Sequence, residues 1–153
     1  MKIIDLNTTI VSIFKMDAID WHVFYLSEFK QELYREFKTE QKPDSMTAIA
    51  NPNGHVMQLE NGEVIIDAKT FPIDRIVLED RRIIISMQAE TEYVEKVVEK
   101  LIKLIKSFIP QNPLALEPII ITNETISITK FNESINELFR SNCFGEISCE
   151  HRC

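Results

Sequence analysis

Glycine is scarce in this chain of 153 residues, which has only Gly54, Gly62 and Gly145. Loops that wrap around phosphate groups need clustered glycines, because only a residue without a side chain lets the backbone close tightly around an anion. The nearest two, Gly54 and Gly62, are eight positions apart. The sequence therefore contains neither a Walker loop nor a Rossmann turn.

Histidine and cysteine are equally scarce. The three histidines are at positions 22, 55 and 151, and no serine lies in a Gly-x-Ser-x-Gly elbow. We therefore expect no enzymatic activity and no cofactor. The three cysteines all lie within the last eleven residues. Disulfide-stapled secreted domains spread an even number of cysteines through the fold, so this distribution predicts a reducing, cytoplasmic location.

Long apolar runs and an excess of positive charge are also missing. No uncharged hydrophobic run approaches the ~20 residues that cross a bilayer. A net charge of −7 argues against binding to nucleic acid or to an anionic membrane. The hydrophobic share of 44% is that of a folded protein, not of a disordered one. We expect a single domain over residues 1–142 and a cysteine-containing tail over residues 143–153.

Strand signals dominate the chain. The β-branched run at residues 3–14 predicts a long first strand, and Asn61-Gly62 between two strand-like runs predicts a tight hairpin turn. The predicted hairpins join residues 56–60 to 63–67, residues 75–79 to 83–88, and residues 118–122 to 125–129. Hairpins followed by helices, without strand–helix alternation, indicate an α+β fold with a mainly antiparallel sheet.

Two longer helices and one short helix are predicted to pack on this sheet. Residues 20–38 carry an aromatic or leucine every four positions, which predicts one helix; in the alternative, Ser27 caps a shorter helix and residues 21–26 are extended. Residues 91–109 carry a wide apolar stripe, and Thr91 can cap this helix. A short C-terminal helix is expected near residues 132–140.

The first helix carries six of the thirteen aromatic residues. Trp and Tyr are frequent at binding hot spots, because they bury a large area and keep one polar atom. The alternative is that these aromatics form the core. The candidate interface residues are Trp21, Phe24, Tyr25 and Tyr34. They predict a non-enzymatic interaction module that binds a protein partner or itself, as a homodimer, an accessory subunit or an immunity-type protein.

An alternative function comes from two acidic residues and a lysine. A Pro-Asp pair ends at Asp44, and a later apolar strand runs into Asp67-Ala68-Lys69. This pattern resembles the signature of the PD-(D/E)xK nucleases. The resemblance implies that Asp44 and Asp67 hold Mg²⁺ and that Lys69 activates or positions the attacking water, which a bound metal makes more acidic.

A second metal-binding alternative lies in the tail. Thiolates and imidazole are the ligands that zinc prefers, and the tail offers Cys143, Cys149, His151 and Cys153. Their spacing does not match a standard zinc site, so we expect cysteines packed against the protein or exposed, and no bound metal.

Overall fold

A computed structural model of the chain describes residues 2–15, 18–52, 54–109 and 116–130. The strands are β1 (Lys2–Ile13), β2 (Ala48–Asn51), β3 (Gly54–Ile66), β4 (Lys69–Glu79), β5 (Arg82–Met87) and β6 (Ile120–Lys130). The α-helices are α1 (Ser27–Phe37) and α2 (Thr91–Phe108), and short 3₁₀ turns cover Trp21–Tyr25 and Pro43–Ser45. One antiparallel sheet has the strand order β2-β3-β4-β5-β1-β6. The predicted α+β fold is confirmed.

The chain divides into two compact units. The first comprises residues 6–126 and contains both helices, strands β2 to β5 and most of β1 and β6. In the second, residues 2–5 and 127–130 are described, and all of them are strand. The predicted C-terminal helix at 132–140 and the tail at 143–153 lie outside the described residues.

The core of the first unit lies between one face of the sheet and the two helices. Burial alternates along β3 on each side of Asn61: Met57 and Leu59 are buried before it and Val64 after it, with a shift of one residue at Glu60-Asn61, where both residues are exposed. This is the period of a strand with one covered face. The buried residues of α2 are Val94, Val97, Val98, Leu101 and Ile105. Complete burial of a residue such as leucine contributes about 1.5–3 kcal/mol, so this shared face fixes α2 on the sheet.

The bounds of helix α2 follow its sequence prediction to within one residue, although Glu90 and not Thr91 occupies the N-cap position. Helix α2 also holds α1 by an ion pair in which Lys100 Nζ lies 2.8 Å from Glu36 Oε2. The hydrogen bond from Lys100 lowers the pKa of Glu36 against the opposing effect of burial. Within the described part of the chain, no helix is both long and apolar enough to cross a membrane.

The helix predicted over residues 20–38 consists of two segments. Leu26 has an extended backbone, with φ −70° and ψ 127°, and separates the 3₁₀ turn at Trp21–Tyr25 from α1. Phe29, Leu33 and Phe37 on α1 are fully buried, as their four-residue spacing predicts. The spacing continues unbroken through Leu26, so it could not show where the chain changes direction.

The hairpin predicted at Asn61-Gly62 is wrong, because β3 runs straight through both residues. The actual turn to β4 is at Asp67 and Ala68, where φ is 50° and 63°. Asn61 also has a positive φ, of 52°. A Cβ atom on Gly62 would lie 2.6 Å from the carbonyl oxygen of Phe37. Asn61-Gly62 is therefore part of a strand: the burial pattern shifts by one residue next to Asn61, and Gly62 allows α1 to approach the sheet closely.

The hairpin predicted at residues 118–129 is wrong as well. Strand β6 is continuous from Ile120 to Lys130, and among the described strands it is the last in the sheet, beside β1. The Ile119 N–H donates to the Ile13 carbonyl at 2.7 Å. Asn123-Glu124 has no glycine to favour a positive φ, and the long first strand offers a partner along its length, so pairing prevails. The hairpin around Asp80-Arg81 is confirmed.

Candidate interaction site

The 3₁₀ turn at Trp21–Tyr25 is fixed at both ends. At its start the Asp20 carboxylate accepts a hydrogen bond from the His22 backbone N–H at 3.1 Å, which satisfies one free donor of the first turn. At its end the Tyr25 hydroxyl donates to the Ala48 carbonyl on β2 at 3.1 Å. These bonds place the turn beside the edge of the sheet that β2 forms.

Two histidines enclose the indole ring of Trp21. The His22 ring stacks at a centroid distance of 3.7 Å and the His55 ring at 3.8 Å, with interplanar angles of 23° and 6°. Tyr25 meets Trp21 edge-on at 5.8 Å and His55 edge-on at 6.4 Å. We call Trp21, His22, Tyr25 and His55 the aromatic cluster. Edge and stacked pairs of this kind contribute about 0.5–1.5 kcal/mol each beyond their buried area, so the cluster is rigid.

Each histidine of the aromatic cluster lies beside an aspartate. Asp20 Oδ1 is 2.8 Å from His22 Nδ1. The other carboxylate, Asp80 in the β4–β5 turn, accepts from the His55 backbone N–H at 3.1 Å and has Oδ1 3.4 Å from His55 Nδ1. Asp20 therefore orients the His22 ring, whereas Asp80 fixes the His55 backbone. His55 Nδ1 and Asp80 Oδ1 are buried and form no hydrogen bond among the described residues.

Gly54 allows Asp80 to reach this position. Its φ is 123°, a conformation that residues with a side chain rarely adopt. A Cβ atom at Gly54 would lie 2.5 Å from Asp80 Oδ2. Gly54 thus allows both the positive φ of the turn and the close packing of the Asp80 carboxylate.

The outer surface of the aromatic cluster is open to solvent. The His22 side chain is 70% exposed, Tyr25 is 45% exposed and the adjacent Leu26 is 41% exposed, whereas the His55 side chain is only 20% exposed. Because the histidines cover both faces of the indole, Trp21 supports the outer residues and offers no free ring face to a ligand. The arrangement is a solvent-exposed surface with an apolar centre and an acidic rim.

The structure separates the four predicted interface residues. Trp21 and Tyr25 belong to the aromatic cluster, while Tyr34 is half-buried on α1. Phe24 was predicted to be a contact residue, but it is fully buried, with its ring centroid 6.1 Å from that of Phe29. The 3₁₀ turn and the extended Leu26 change the helical phase, so Phe24 faces the core instead of falling beside the stripe.

The residues of the nuclease-like pattern lie on different elements. Asp44 is exposed in the 3₁₀ turn at Pro43–Ser45, and Asp67 is exposed at the tip of the β3–β4 hairpin. Asp67 Oδ2 accepts from Lys96 Nζ at 2.8 Å, and Lys69 Nζ lies 3.4 Å from the Tyr93 hydroxyl. A strand, β4, follows Lys69, where the nuclease pattern calls for a helix. The described ranges contain no group of three or more His, Cys, Asp or Glu residues arranged to hold a metal.

The four tail residues proposed as zinc ligands, Cys143, Cys149, His151 and Cys153, lie outside the residues that the structure describes. The zinc alternative for the tail therefore stays a prediction.

Sequence reasoning missed the roles of His55 and Asp80. From the sequence, His55 after a turn is expected to face solvent and His22 beside Trp21 to be half-buried, whereas the His55 side chain is 20% exposed and the His22 side chain is 70% exposed. The sequence does place each of the two next to a turn, at Asn53-Gly54 and at Asp80-Arg81. Only the pairing of β3 with β4, in which Val56 lies opposite Glu79, brings those turns together.

Comparisons with known proteins add no relationship. No family model, curated protein or solved structure matches this chain.

Proposed function

We propose that this protein is a non-enzymatic interaction module that binds a protein partner through the aromatic cluster and Leu26. One observation carries the proposal: Tyr25 packs against the stack of His22, Trp21 and His55, and both Tyr25 and the adjacent Leu26 are exposed at the surface. We place this activity in the cytoplasm, in keeping with the distribution of the cysteines.

Rigidity is what makes this surface suitable for binding. A partner that binds flexible side chains must order them, at about 0.5–1.5 kcal/mol for each side chain. Here the Tyr25 hydroxyl is already bonded to Ala48, and its ring already packs against Trp21 and His55. Aromatic residues in such fixed positions are the usual binding hot spots.

Charge indicates the chemistry of the partner. The Asp20 side chain at the rim is 52% exposed, and the whole chain carries a net charge of −7. A partner with apolar side chains at the centre of its contact surface and basic side chains at its rim would complement both features. Attraction between opposite net charges would also speed the encounter.

The test compares proteins captured from native extract by matched variants. Tyr25→Ala removes the central exposed ring, and Gln31→Ala is the control on the exposed face of α1. We expect the control to retain a partner that Tyr25→Ala loses, with both variants folded by circular dichroism. A partner retained equally by both variants would contradict binding through the aromatic cluster.

A further inference from the structure

A second surface, independent of the aromatic cluster, lies at the other edge of the sheet. We call residues 119–126 the β6 edge; they belong to the first unit. The exposed fractions of its isoleucines are 51% for Ile119, 50% for Ile120, 56% for Ile121 and 60% for Ile126. Four half-exposed isoleucines within eight residues far exceed the scattered apolar residues of an ordinary surface.

The two sides of this strand are identified by the contacts of one threonine. Thr125 Oγ1 lies 3.2 Å from the hydroxyl of buried Thr8 and 3.2 Å from that of Thr91 at the start of α2. Thr125 is therefore on the helix-covered side. Because side chains alternate along a strand, Ile120, Thr122, Glu124 and Ile126 are on the opposite side.

The β6 edge lacks the features that keep sheet edges apart. Natural edge strands are shortened or carry lysine, proline or inward-pointing charges. Residues 119–126 contain no lysine, arginine or proline, and Glu124 is their only charged residue. Among the described strands β6 is terminal in the order of the sheet, beyond β1.

We infer that the β6 edge pairs with the β6 edge of a second copy of this chain, in antiparallel register with Asn123 opposite Asn123. A two-fold axis perpendicular to the sheet leaves each side chain on its own face of the sheet. Because directly opposite residues of an antiparallel pair share a face, the axis must pass where one residue lies opposite the same residue of the second copy. Main-chain hydrogen bonds between the two edges then join the two six-stranded sheets.

Side-chain complementarity selects Asn123 as the centre. In this register Ile120 faces Ile126 and Thr122 faces Glu124, each pair occurring twice. A centre at Thr122 would place Ile120 against Glu124. A centre at Glu124 would place the two like charges directly against each other, which is destabilising. The Asn123 register alone among these three pairs isoleucine with isoleucine and keeps the glutamates apart.

Two substitutions at Thr122, one negative and one positive, test the register. Thr122→Glu places a carboxylate against Glu124 of the second copy at two symmetric sites, whereas Thr122→Lys creates two ion pairs at the same sites. We expect sedimentation equilibrium of the full chain to show a dimer of twice 17.8 kDa. Thr122→Glu should weaken the dimer about tenfold, and Thr122→Lys should leave it equal or stronger.

A charge exchange completes this test. Adding Glu124→Lys to Thr122→Glu restores opposite charges across the edge and should restore the dimer. If the β6 edge disfavoured an added charge of either sign, both Thr122→Glu and Thr122→Lys would weaken the dimer. That result, or a monomer at every concentration, would overturn the inference.

A disulfide gives a direct readout of the same register. With Cys143, Cys149 and Cys153 changed to serine, Asn123→Cys should form an inter-chain disulfide on mild oxidation, because the two residues face each other within the span of a disulfide. Ile121→Cys is the control, since its counterpart in the second copy lies four residues along the strand, roughly 13 Å away. Equal cross-linking of both variants, or of neither, would contradict the register.

Discussion

The two edges of the sheet differ in how they meet the solvent. Strand β2 has four residues, is followed by Pro52, and has the Tyr25 hydroxyl bonded to the Ala48 carbonyl. Strand β6 has eleven residues and carries the half-exposed isoleucines of the β6 edge. A short strand followed by proline and overlaid by side chains is a blocked edge, whereas a long apolar strand is open to pairing. One sheet thus presents two surfaces of different chemistry.

The surface beside β2 is also supported by the core, unlike the β6 edge. Beneath Trp21 and Tyr25 the chain buries Val23 and Phe24 completely or almost completely. Exposed residues and core residues are therefore direct neighbours within one short turn. Substitutions at buried and at exposed positions of this turn should therefore differ in how much they lower the free energy of unfolding.

The largest effect is expected when the core beneath the aromatic cluster is removed. Phe24→Ala should lower the free energy of unfolding by about 3–5 kcal/mol, because it leaves a cavity beside Phe29. Tyr25→Ala should cost about 1 kcal/mol or less, since the ring is half exposed. Urea denaturation of both variants gives the comparison. Similar losses for Phe24→Ala and Tyr25→Ala would mean that the division between core and contact residues is wrong.

A smaller loss is expected where α1 approaches β3. Gly62→Ala should destabilise the protein by about 1–3 kcal/mol, because the new Cβ would meet the Phe37 carbonyl oxygen. Asn61→Gly is the matched control: glycine accepts the positive φ at that position, so the change should stay within about 0.5 kcal/mol. If Asn61-Gly62 formed a hairpin turn, the residues on its two sides would pair with each other and not with β4. The protection of their amides from exchange would then differ from that of a strand paired with β4.

Loss of the Asp80 carboxylate should loosen the aromatic cluster at a cost of about 1–3 kcal/mol. Asp80→Ala leaves the His55 backbone N–H, now bonded at 3.1 Å, without its acceptor. Asp80→Asn keeps an oxygen in the same place and should recover most of the loss. Trp21 is the single tryptophan, so its fluorescence reports the stacking directly. An unchanged spectrum in Asp80→Ala would show that the carboxylate does not hold the stack.

The smallest effect concerns the ion pair between the helices. The pKa of Glu36 is lowered in the folded protein, mainly by the hydrogen bond from Lys100. The pair therefore stabilises the fold above the ordinary pKa of a glutamate, and this contribution is lost as the pH falls through the lowered value. Lys100→Met should cost at most about 1 kcal/mol at neutral pH and progressively less in acid. Lys103→Met, on the exposed face of the same helix, should show no such trend with pH.

Residue patterns predict those parts of the fold that depend on local chemistry. The alternation in β1, the apolar stripe of α2 and the charged turn at Asp80-Arg81 all lead to the observed elements. Asn61-Gly62 and Asn123-Glu124 predict turns that do not form. Close packing of α1 outweighs the turn preference of the first pair, and pairing with β1 outweighs that of the second. The site is predicted only in part. Trp21 and Tyr25 follow from composition, whereas His55 and Asp80 join them through strand register, which no local pattern contains.

The most direct test of the central claim is cross-linking from the centre of the aromatic cluster. A photoreactive amino acid replaces Tyr25 in one protein and exposed Gln31 in another, and both are irradiated in native extract and after purification. We predict a discrete adduct with a second protein species from position 25 in extract, and none from position 31. Absence of an adduct at position 25, or the same adduct from both positions, would contradict the claim that this protein acts through the aromatic cluster.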